Sequence, residues 1–151
     1  MKIEIYDSQS LNFVELNTTG DNDNYIRCNP ESKFLDSIVF NIFVPCFENA
    51  NKLFDFFGST KYNSRKIIPL RNELIKNLEI FEKVKTMKDF EVTVSRKFLG
   101  KDFLEELGKE DKNWKDDWKG YLKKLIAINK TLIELAEKCA DEERILWVIG
   151  Y

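Results

Sequence analysis

The chain has 151 residues, of which 43% are hydrophobic and 33% are charged, and it contains no histidine. Histidine is the usual general base and the commonest metal ligand, so its absence excludes Ser-His-Asp catalysis, Cys-His catalysis and His-ligated zinc or iron sites. The formal net charge of −2 argues against a dedicated nucleic-acid binder, because such domains are more often basic overall.

The length and composition predict one globular domain spanning residues 1–151. The first residues contain no apolar signal segment, and no apolar run reaches the roughly 18 residues of a membrane-spanning helix. The three cysteines are odd in number, and we interpret them as reduced thiols, with Cys46 and Cys139 on apolar faces. We therefore expect a cytoplasmic protein that does not bind a membrane.

Two short stretches near the N-terminus favour β-structure. Residues 2–6 read K-I-E-I-Y, an alternation that is typical of a half-buried strand. Residues 11–16 are a candidate for the returning strand. Residues 17–24 are polar and contain Asn, Asp and Gly, which predicts a loop.

Two aspartates in this loop, Asp21 and Asp23, raise the question of a calcium site. An EF-hand loop that starts at Asp21 needs glycine at its sixth position and glutamate at its twelfth. Ile26 and Ser32 occupy those positions. The sequence therefore favours a solvated loop, and we predict no metal ligands in the chain.

Residues 31–58 form the most apolar part of the sequence. The apolar side chains that recur there at three- and four-residue steps are Leu35, Ile38, Val39, Ile42, Cys46, Ala50, Leu53, Phe54 and Phe57. This spacing favours a helix that begins after Ser32 and ends at Gly58. Pro45 should kink this helix or split it in two. The alternative is a buried strand at residues 38–44, which are β-branched and aromatic.

The middle of the chain shows two further helical patterns and one alternating pattern. Pro69 suits the first turn of a helix that continues to about residue 85. Residues 91–95 read E-V-T-V-S, and this alternation predicts a strand. Residues 101–109 predict a short amphipathic helix whose inward side chains are Phe103, Leu104 and Leu107.

Residues 113–140 carry the clearest helical pattern. Asn113 is the expected N-cap, and Asp116 and Asp117 are expected in the first turn, where the helix dipole favours anions. Gly120 suggests a close packing contact, since glycine in a helix costs about 1 kcal/mol relative to alanine.

The last stretch, residues 144–149, reads R-I-L-W-V-I and is apolar on both faces, which predicts a central strand. The expected fold is α+β and mainly α, with long amphipathic helices packed on a small sheet that includes the N- and C-terminal strands. Residues 91–95 are expected to add a third strand, because isolated two-stranded hairpins are marginal. The side chains expected in the core include Leu125, Leu132, Leu135 and Trp147.

One surface stands out as a candidate binding site. Trp114 and Trp118 lie about one helical turn apart among acidic residues, tryptophan is enriched among interface hot spots, and acidic neighbours steer basic partners. Core packing is the alternative role for either tryptophan. The residues expected to contact a partner are Glu110, Asp111, Trp114, Asp116, Asp117, Trp118 and Tyr121.

The sequence contains no motif that is typical of a particular reaction, so we predict no catalytic residue and no cofactor. The favoured function is a non-enzymatic protein-binding module, most specifically an immunity- or antitoxin-type inhibitor of a protein toxin with a basic domain. The first alternative is an enzyme that works through carboxylates, with or without Mg²⁺. The second alternative is a nucleic-acid-associated regulator that uses residues 61–100, which carry ten basic and five acidic side chains.

Overall fold

The structure, a computed structural model, describes residues 1–8 and 11–150, which form six helices and a four-stranded antiparallel sheet. In chain order the elements are β1 (Phe13–Asn17), β2 (Lys33–Asp36), α1 (Ser37–Phe40), α2 (Val44–Ala50), β3 (Ser59–Tyr62), α3 (Ile67–Glu82), α4 (Met87–Ser95), α5 (Gly100–Glu110), α6 (Trp118–Asp141) and β4 (Leu146–Ile149). The predicted α+β, mainly α class is confirmed, as is a sheet built from the first and last strands.

The sheet has the strand order β2-β1-β4-β3, so β4 is central, as predicted. All of its residues are buried. Val148 pairs with Leu16 on one side and with Thr60 on the other. An apolar strand of this kind requires cover on both faces, and both are covered.

The two faces of the sheet have different covers. Val14, Leu16 and Val148 belong to the same hydrophobic cluster as the buried helix residues. The opposite face is closed by the loop between β1 and β2. The Trp147 indole donates a 2.8 Å hydrogen bond to the Asp21 carbonyl, and its ring centroid lies 4.8 Å from that of Tyr25. The polar loop is therefore folded onto the sheet.

Residues 2–6 do not form the predicted strand. They reach the sheet edge through one isolated bridge, in which Tyr6 and Phe34 exchange backbone hydrogen bonds of 2.9 and 2.8 Å. Ile3 and Tyr6 are buried while Lys2 and Glu4 are exposed. The alternation thus reports burial correctly at residues 2–5, fails at the buried Tyr6, and overstates backbone pairing.

The segment 31–58 starts as a strand, which the helical spacing did not predict. Ser32 does not cap a helix, because its hydroxyl donates a 2.7 Å hydrogen bond to the buried Glu15 carboxylate. The cap of α1 is Asp36, whose side chain accepts a 3.0 Å hydrogen bond from the Ile38 amide.

The favoured helical interpretation holds for residues 38–44, which belong to α1, a turn and the start of α2 rather than to a strand. Pro45 lies in the first turn of α2, so it divides the helical segment in two, as expected. The second helix ends before Asn51, which has an extended backbone (φ −144°, ψ 108°), and Gly58 therefore does not end it.

The strand predicted at residues 91–95 is wrong, since these residues lie in α4. A capping box begins this helix: Thr86 accepts a hydrogen bond from the Asp89 amide, and Asp89 accepts one from the Thr86 amide. Phe90 and Val94, four residues apart, are fully buried. The strands that join β1 and β4 in the sheet are β2 and β3, and not residues 91–95.

The long helix starts later than predicted, at Trp118 rather than after Asn113. The Asn113 amide donates a 2.8 Å hydrogen bond to Asp111, and the chain then continues in turns. Asp116 and Asp117 therefore precede the helix, and Asp117, its N-cap residue, makes no side-chain capping hydrogen bond.

The core is rich in aromatic residues and is completed by packing of α3 against α6. Leu125, Leu132 and Trp147 are buried as predicted, while Leu135 is partly buried. Cys46 and Cys139 are buried, and the three cysteines are unpaired. Among the described residues, no helix combines the length and apolarity needed to cross a membrane.

Candidate functional site

The predicted binding residues lie on the end of α5, the turns that follow it and the first turn of α6. Glu110, Asp116 and Asp117 are exposed, and Asp111, Trp118 and Tyr121 are half-buried. We call this part of the surface, residues 110–121, the acidic face.

Trp114 belongs to the core and offers little surface to a partner. It is 7% exposed, and its ring centroid lies 6.0 Å from that of Phe90. A Cβ at Gly108 would lie 3.5 Å from the indole nitrogen, so the Trp114 ring lies next to Gly108 of α5. Core packing is the role of Trp114.

Trp118 is the tryptophan of this segment that keeps an exposed area. Its ring centroid lies 6.3 Å from that of Phe90, so one side is supported by the core. The Lys119 ammonium stands 5.7 Å from the Trp118 ring centroid. A large ring that packs against the core and keeps part of its surface accessible suits an interface anchor.

Asp111 and Tyr121 fix the turn that connects α5 to α6. The Tyr121 hydroxyl donates a 2.7 Å hydrogen bond to one Asp111 oxygen, and the other oxygen accepts the Asn113 amide. The hydrogen bond to Asp111 is the main reason that the pKa of Tyr121 is raised to about 12, with smaller contributions from burial and nearby acids. Asp111 is therefore a structural member of the acidic face.

Several other acids in this region are already paired with cations. Glu110 binds the Met1 amine, and this hydrogen bond raises the pKa of the amine. Lys109 lies 3.3 Å from Glu105 and 3.4 Å from Glu106. These carboxylates are partly neutralised within the molecule.

Asp116 and Asp117 differ from the other acids of this face. Neither has an ion-pair partner among the described cations, and Lys115, next in sequence, pairs instead with Glu91 at 3.3 Å. A Cβ at Gly120 would lie 2.9 Å from an Asp117 carboxylate oxygen. These nearest atoms belong to an exposed side chain, so Gly120 leaves room for the Asp117 carboxylate and does not make the close packing contact predicted for it.

Within residues 1–8 and 11–150, no group of three or more His, Cys, Asp or Glu side chains is arranged to hold a metal ion. The geometry instead offers a partly exposed aromatic ring next in sequence to two carboxylates, Asp116 and Asp117, that form no ion pair with a described cation.

A large cleft lies elsewhere, between the N-terminal segment and α6. Its volume is 640 Å³, and Ile3 and Ile128 contribute to its apolar lining. The acids at its rim are paired, Asp7 with Lys33 at 2.6 Å and Glu4 with a lysine at 3.4 Å. The cleft therefore brings together no set of free carboxylates.

The sequence pattern does not predict two exposed apolar side chains in the loop between α2 and β3. Leu53 and Phe57 are 84% and 82% exposed, although the helical spacing placed both on a buried face. The F-D-F-F run before Gly58 could have indicated this, because an aspartate and a glycine around consecutive aromatic residues favour a turn over a helix.

Comparison of the chain with known protein families, curated proteins and solved structures finds no match.

Proposed function

We propose that this chain is a non-enzymatic protein-binding module, most specifically an immunity- or antitoxin-type inhibitor that covers the basic domain of a protein toxin. The binding surface is the acidic face, with Trp118 as its anchor. This function is inferred from the chemistry of the surface, and it implies no cofactor.

The observation that carries the proposal is the position of Trp118 beside Asp116 and Asp117. The ring is half-buried against Phe90 and the two carboxylates have no ion pair with a described cation. Supported aromatic rings supply much of the energy of protein interfaces, and rim carboxylates accelerate the approach of basic partners.

Free carboxylates matter because binding then breaks no existing ion pair. A lysine or arginine of the partner can approach Asp116 or Asp117 directly, whereas Glu110 would first have to release the Met1 amine. Exposed charges are screened by salt, so association should be fastest at low ionic strength.

The proposal places the protein in the cytoplasm. Its three cysteines are unpaired, and two of them are buried in the core. Such cysteines persist as thiols in a reducing compartment. An inhibitor of this kind would bind its toxin before the toxin reaches a cytoplasmic target.

The test starts with a pull-down from the host lysate, followed by binding kinetics with the recovered protein. The variant Asp116→Asn with Asp117→Asn should lower the association rate by about tenfold at low salt and by much less at high salt. Trp118→Ala should mainly increase the dissociation rate, provided that its thermal melt shows a folded protein.

The matched control removes the same charge at the far end of α6. Glu137→Gln with Asp141→Asn changes two exposed acids that have no ion pair among the described residues, and it should leave the association rate unchanged. Equal rates for both double variants would refute the acidic face as the binding surface. Recovery of no protein partner, together with turnover of a nucleotide or sugar by the purified chain, would favour the carboxylate-dependent enzyme.

A further inference from the structure

Two clefts adjoin each other along one side of α6. The larger has a volume of 640 Å³ and lies between α6 and the N-terminal segment, and the smaller, of 200 Å³, lies beside the C-terminal half of the helix. Ile5, Lys33 and Thr131 line both clefts, so the two form one groove. We call it the α6 groove. Its size is typical of small-molecule sites.

The floor of the α6 groove is a single face of the helix. Its residues recur at three- and four-residue steps, as neighbours on one helix face do. They are Lys124, Ala127, Ile128, Thr131, Leu135 and Lys138. The two central ones, Ala127 and Thr131, are small, so a ligand can lie close to the helix there. Ile128 is buried and Leu135 is half-buried. The floor is therefore mostly apolar, with a lysine at each end.

The opposite wall is apolar as well. It is the N-terminal segment, which contributes Ile3 and Ile5 to the lining. Backbone hydrogen bonds of 2.9 and 2.8 Å join Tyr6 of this segment to Phe34 of β2. Residues 2–5 make no backbone hydrogen bond to another described residue, so this wall is tied to the sheet at one end and can adjust to a ligand.

Most of the charges that line the groove are already paired. The lining contains four lysines and three acids. Glu4 lies 3.4 Å from Lys2, and Asp7 lies 2.6 Å from Lys33. These pairs leave two lysines and one acid, so the remaining charge of the lining is positive.

The remaining charges distinguish the two ends of the groove. Glu134 precedes Lys138 by one helical turn on the same face, and at this spacing the two charges compensate each other. Lys124, at the other end, forms no ion pair with a described acid. Its ammonium stands 5.6 Å from the Tyr121 ring centroid. The groove thus has a cationic end at Lys124 and an apolar channel that leads away from it.

This arrangement selects one class of small molecule. No aromatic ring of the described residues lines the groove, so a nucleobase would find no ring to stack on. A cationic ligand would meet Lys124. A molecule with an anionic head and a hydrocarbon chain fits both the cationic end and the apolar channel.

We propose that the α6 groove binds a long-chain carboxylate. The carboxylate lies at Lys124, and the hydrocarbon chain follows Ile128 towards Leu135. The eleven residues from Lys124 to Leu135 cover about 16 Å of helix, a length that suits dodecanoate. No residue of the acidic face lines the groove, so this inference does not rest on the proposed function.

The first experiment measures binding of dodecanoate to the full chain by isothermal titration calorimetry, at concentrations below micelle formation. The expected result is saturable binding of one molecule per chain. Decanoate and octanoate should bind progressively more weakly, by up to about fourfold for each methylene group that is lost, because less apolar surface is buried. Absence of saturable binding, or equal affinity for the three acids, would overturn the proposal.

A charge variant tests the position of the carboxylate. Lys124→Gln should weaken dodecanoate binding by about threefold to fivefold at low salt, the effect of losing one exposed ion pair. The same change should leave binding of the uncharged methyl ester unaltered. The matched control is Lys123→Gln, since Lys123 is exposed and does not line the groove. Equal effects of the two variants would refute the assignment of the carboxylate to Lys124.

A blocking variant tests the position of the chain. Thr131→Trp places a large ring where the two clefts adjoin, and it should weaken dodecanoate binding by at least about tenfold. Lys130→Trp, the matched control, adds the same ring at an exposed neighbour outside the groove and should leave binding unchanged. Thermal melts show that both variants are folded. Binding that survives Thr131→Trp, or that both variants weaken equally, would overturn the proposal.

An anionic lipid surface presents the same combination of negative heads and hydrocarbon chains. Co-sedimentation of the full chain with phosphatidylglycerol vesicles distinguishes this source from the free acid. We expect the chain to stay in the supernatant while it binds dodecanoate in solution. Co-sedimentation with the vesicles in place of dodecanoate binding would overturn the proposal.

Discussion

Asn77 on α3 donates a 2.7 Å hydrogen bond to Asn129 on α6, and both side chains are almost completely buried. Asn129 in turn donates a 2.8 Å hydrogen bond to the Leu74 carbonyl, and Lys97 donates to Asn77. This small polar chain crosses the main helix–helix contact of the core. Each of its members needs its partner, because burial without a hydrogen bond is costly.

Asn129→Ala should lower the free energy of unfolding by about 2–3 kcal/mol, because it leaves the Asn77 amide unpaired and opens a small cavity. Urea denaturation measures this change. The control Thr131→Ala alters an exposed side chain on the same helix, bonded only to the Ala127 carbonyl, and should change stability by less than about 0.5 kcal/mol. Equal losses in the two variants would contradict a role for the buried pair.

The stability of the protein should fall at alkaline pH. Burial raises the pKa of the Cys46 thiol from 9.0 to about 12. The unfolded chain therefore loses this proton at lower pH than the folded chain, and the stabilisation present below pH 9 is lost as the pH rises towards the folded pKa. The slope from this thiol is about 1.4 kcal/mol per pH unit between the two values.

Cys46→Ala tests this by removing the thiol. Unfolding free energies measured at several pH values should fall less steeply above about pH 9 in the variant than in the unmodified chain. Between pH 6 and about pH 8 the two profiles should run parallel, because the thiol is protonated in both states. Identical slopes above pH 9 would exclude Cys46 as a cause of alkaline destabilisation.

The two glycines of α5 should respond in opposite ways to alanine. Gly100→Ala should destabilise the protein by more than about 2 kcal/mol, because the new Cβ would lie 1.8 Å from the Val94 carbonyl oxygen. Gly108→Ala should stabilise it by about 0.5–1 kcal/mol, since its nearest contact is an ordinary 3.5 Å and alanine favours the helix. Thermal melts distinguish the two, and a stable Gly100→Ala protein would show that the α4–α5 turn can relax.

Tyr121 and Asp111 should be energetically coupled. Tyr121→Phe should cost about 0.5–1.5 kcal/mol, since it removes the hydrogen bond to the Asp111 carboxylate. Asp111→Asn should cost a similar amount, and the double variant should cost less than the sum of the two. Asp116→Asn, as a control, should change stability by less than about 0.5 kcal/mol. Strict additivity at Tyr121 and Asp111 would show that this bond does not hold the turn.

The sequence predicts an element correctly where its hydrophobic pattern is typical of only one kind of secondary structure. The run at residues 144–149 is apolar at consecutive positions, and β4 is buried on both faces in the centre of the sheet. The pattern around Leu125 and Leu132 persists over many turns, and α6 follows it. Repeated spacing over a long segment excludes the alternative period.

Short segments are ambiguous because a few residues fit two periods. Residues 91–95 alternate like a strand, but Phe90 and Val94 also lie four apart, and the Thr86 capping box favours the helix. Leu53 and Phe57 continue a helical spacing after the helix has ended at Asn51. The helical spacing therefore could not predict that Leu53 and Phe57 are exposed.

The candidate site, too, is predicted only in part by the sequence. Local sequence places Trp114 and Trp118 close together among aspartates, and it thereby identifies the acidic face as a candidate. It does not decide which ring is exposed, because that depends on where α6 begins. Trp114 packs beside Phe90 of α4 and close to Gly108 of α5, in the turns that precede the start of α6 at Trp118. Those contacts join separate segments of the chain, so only the tertiary structure decides that Trp114 is buried and that Trp118 remains partly open.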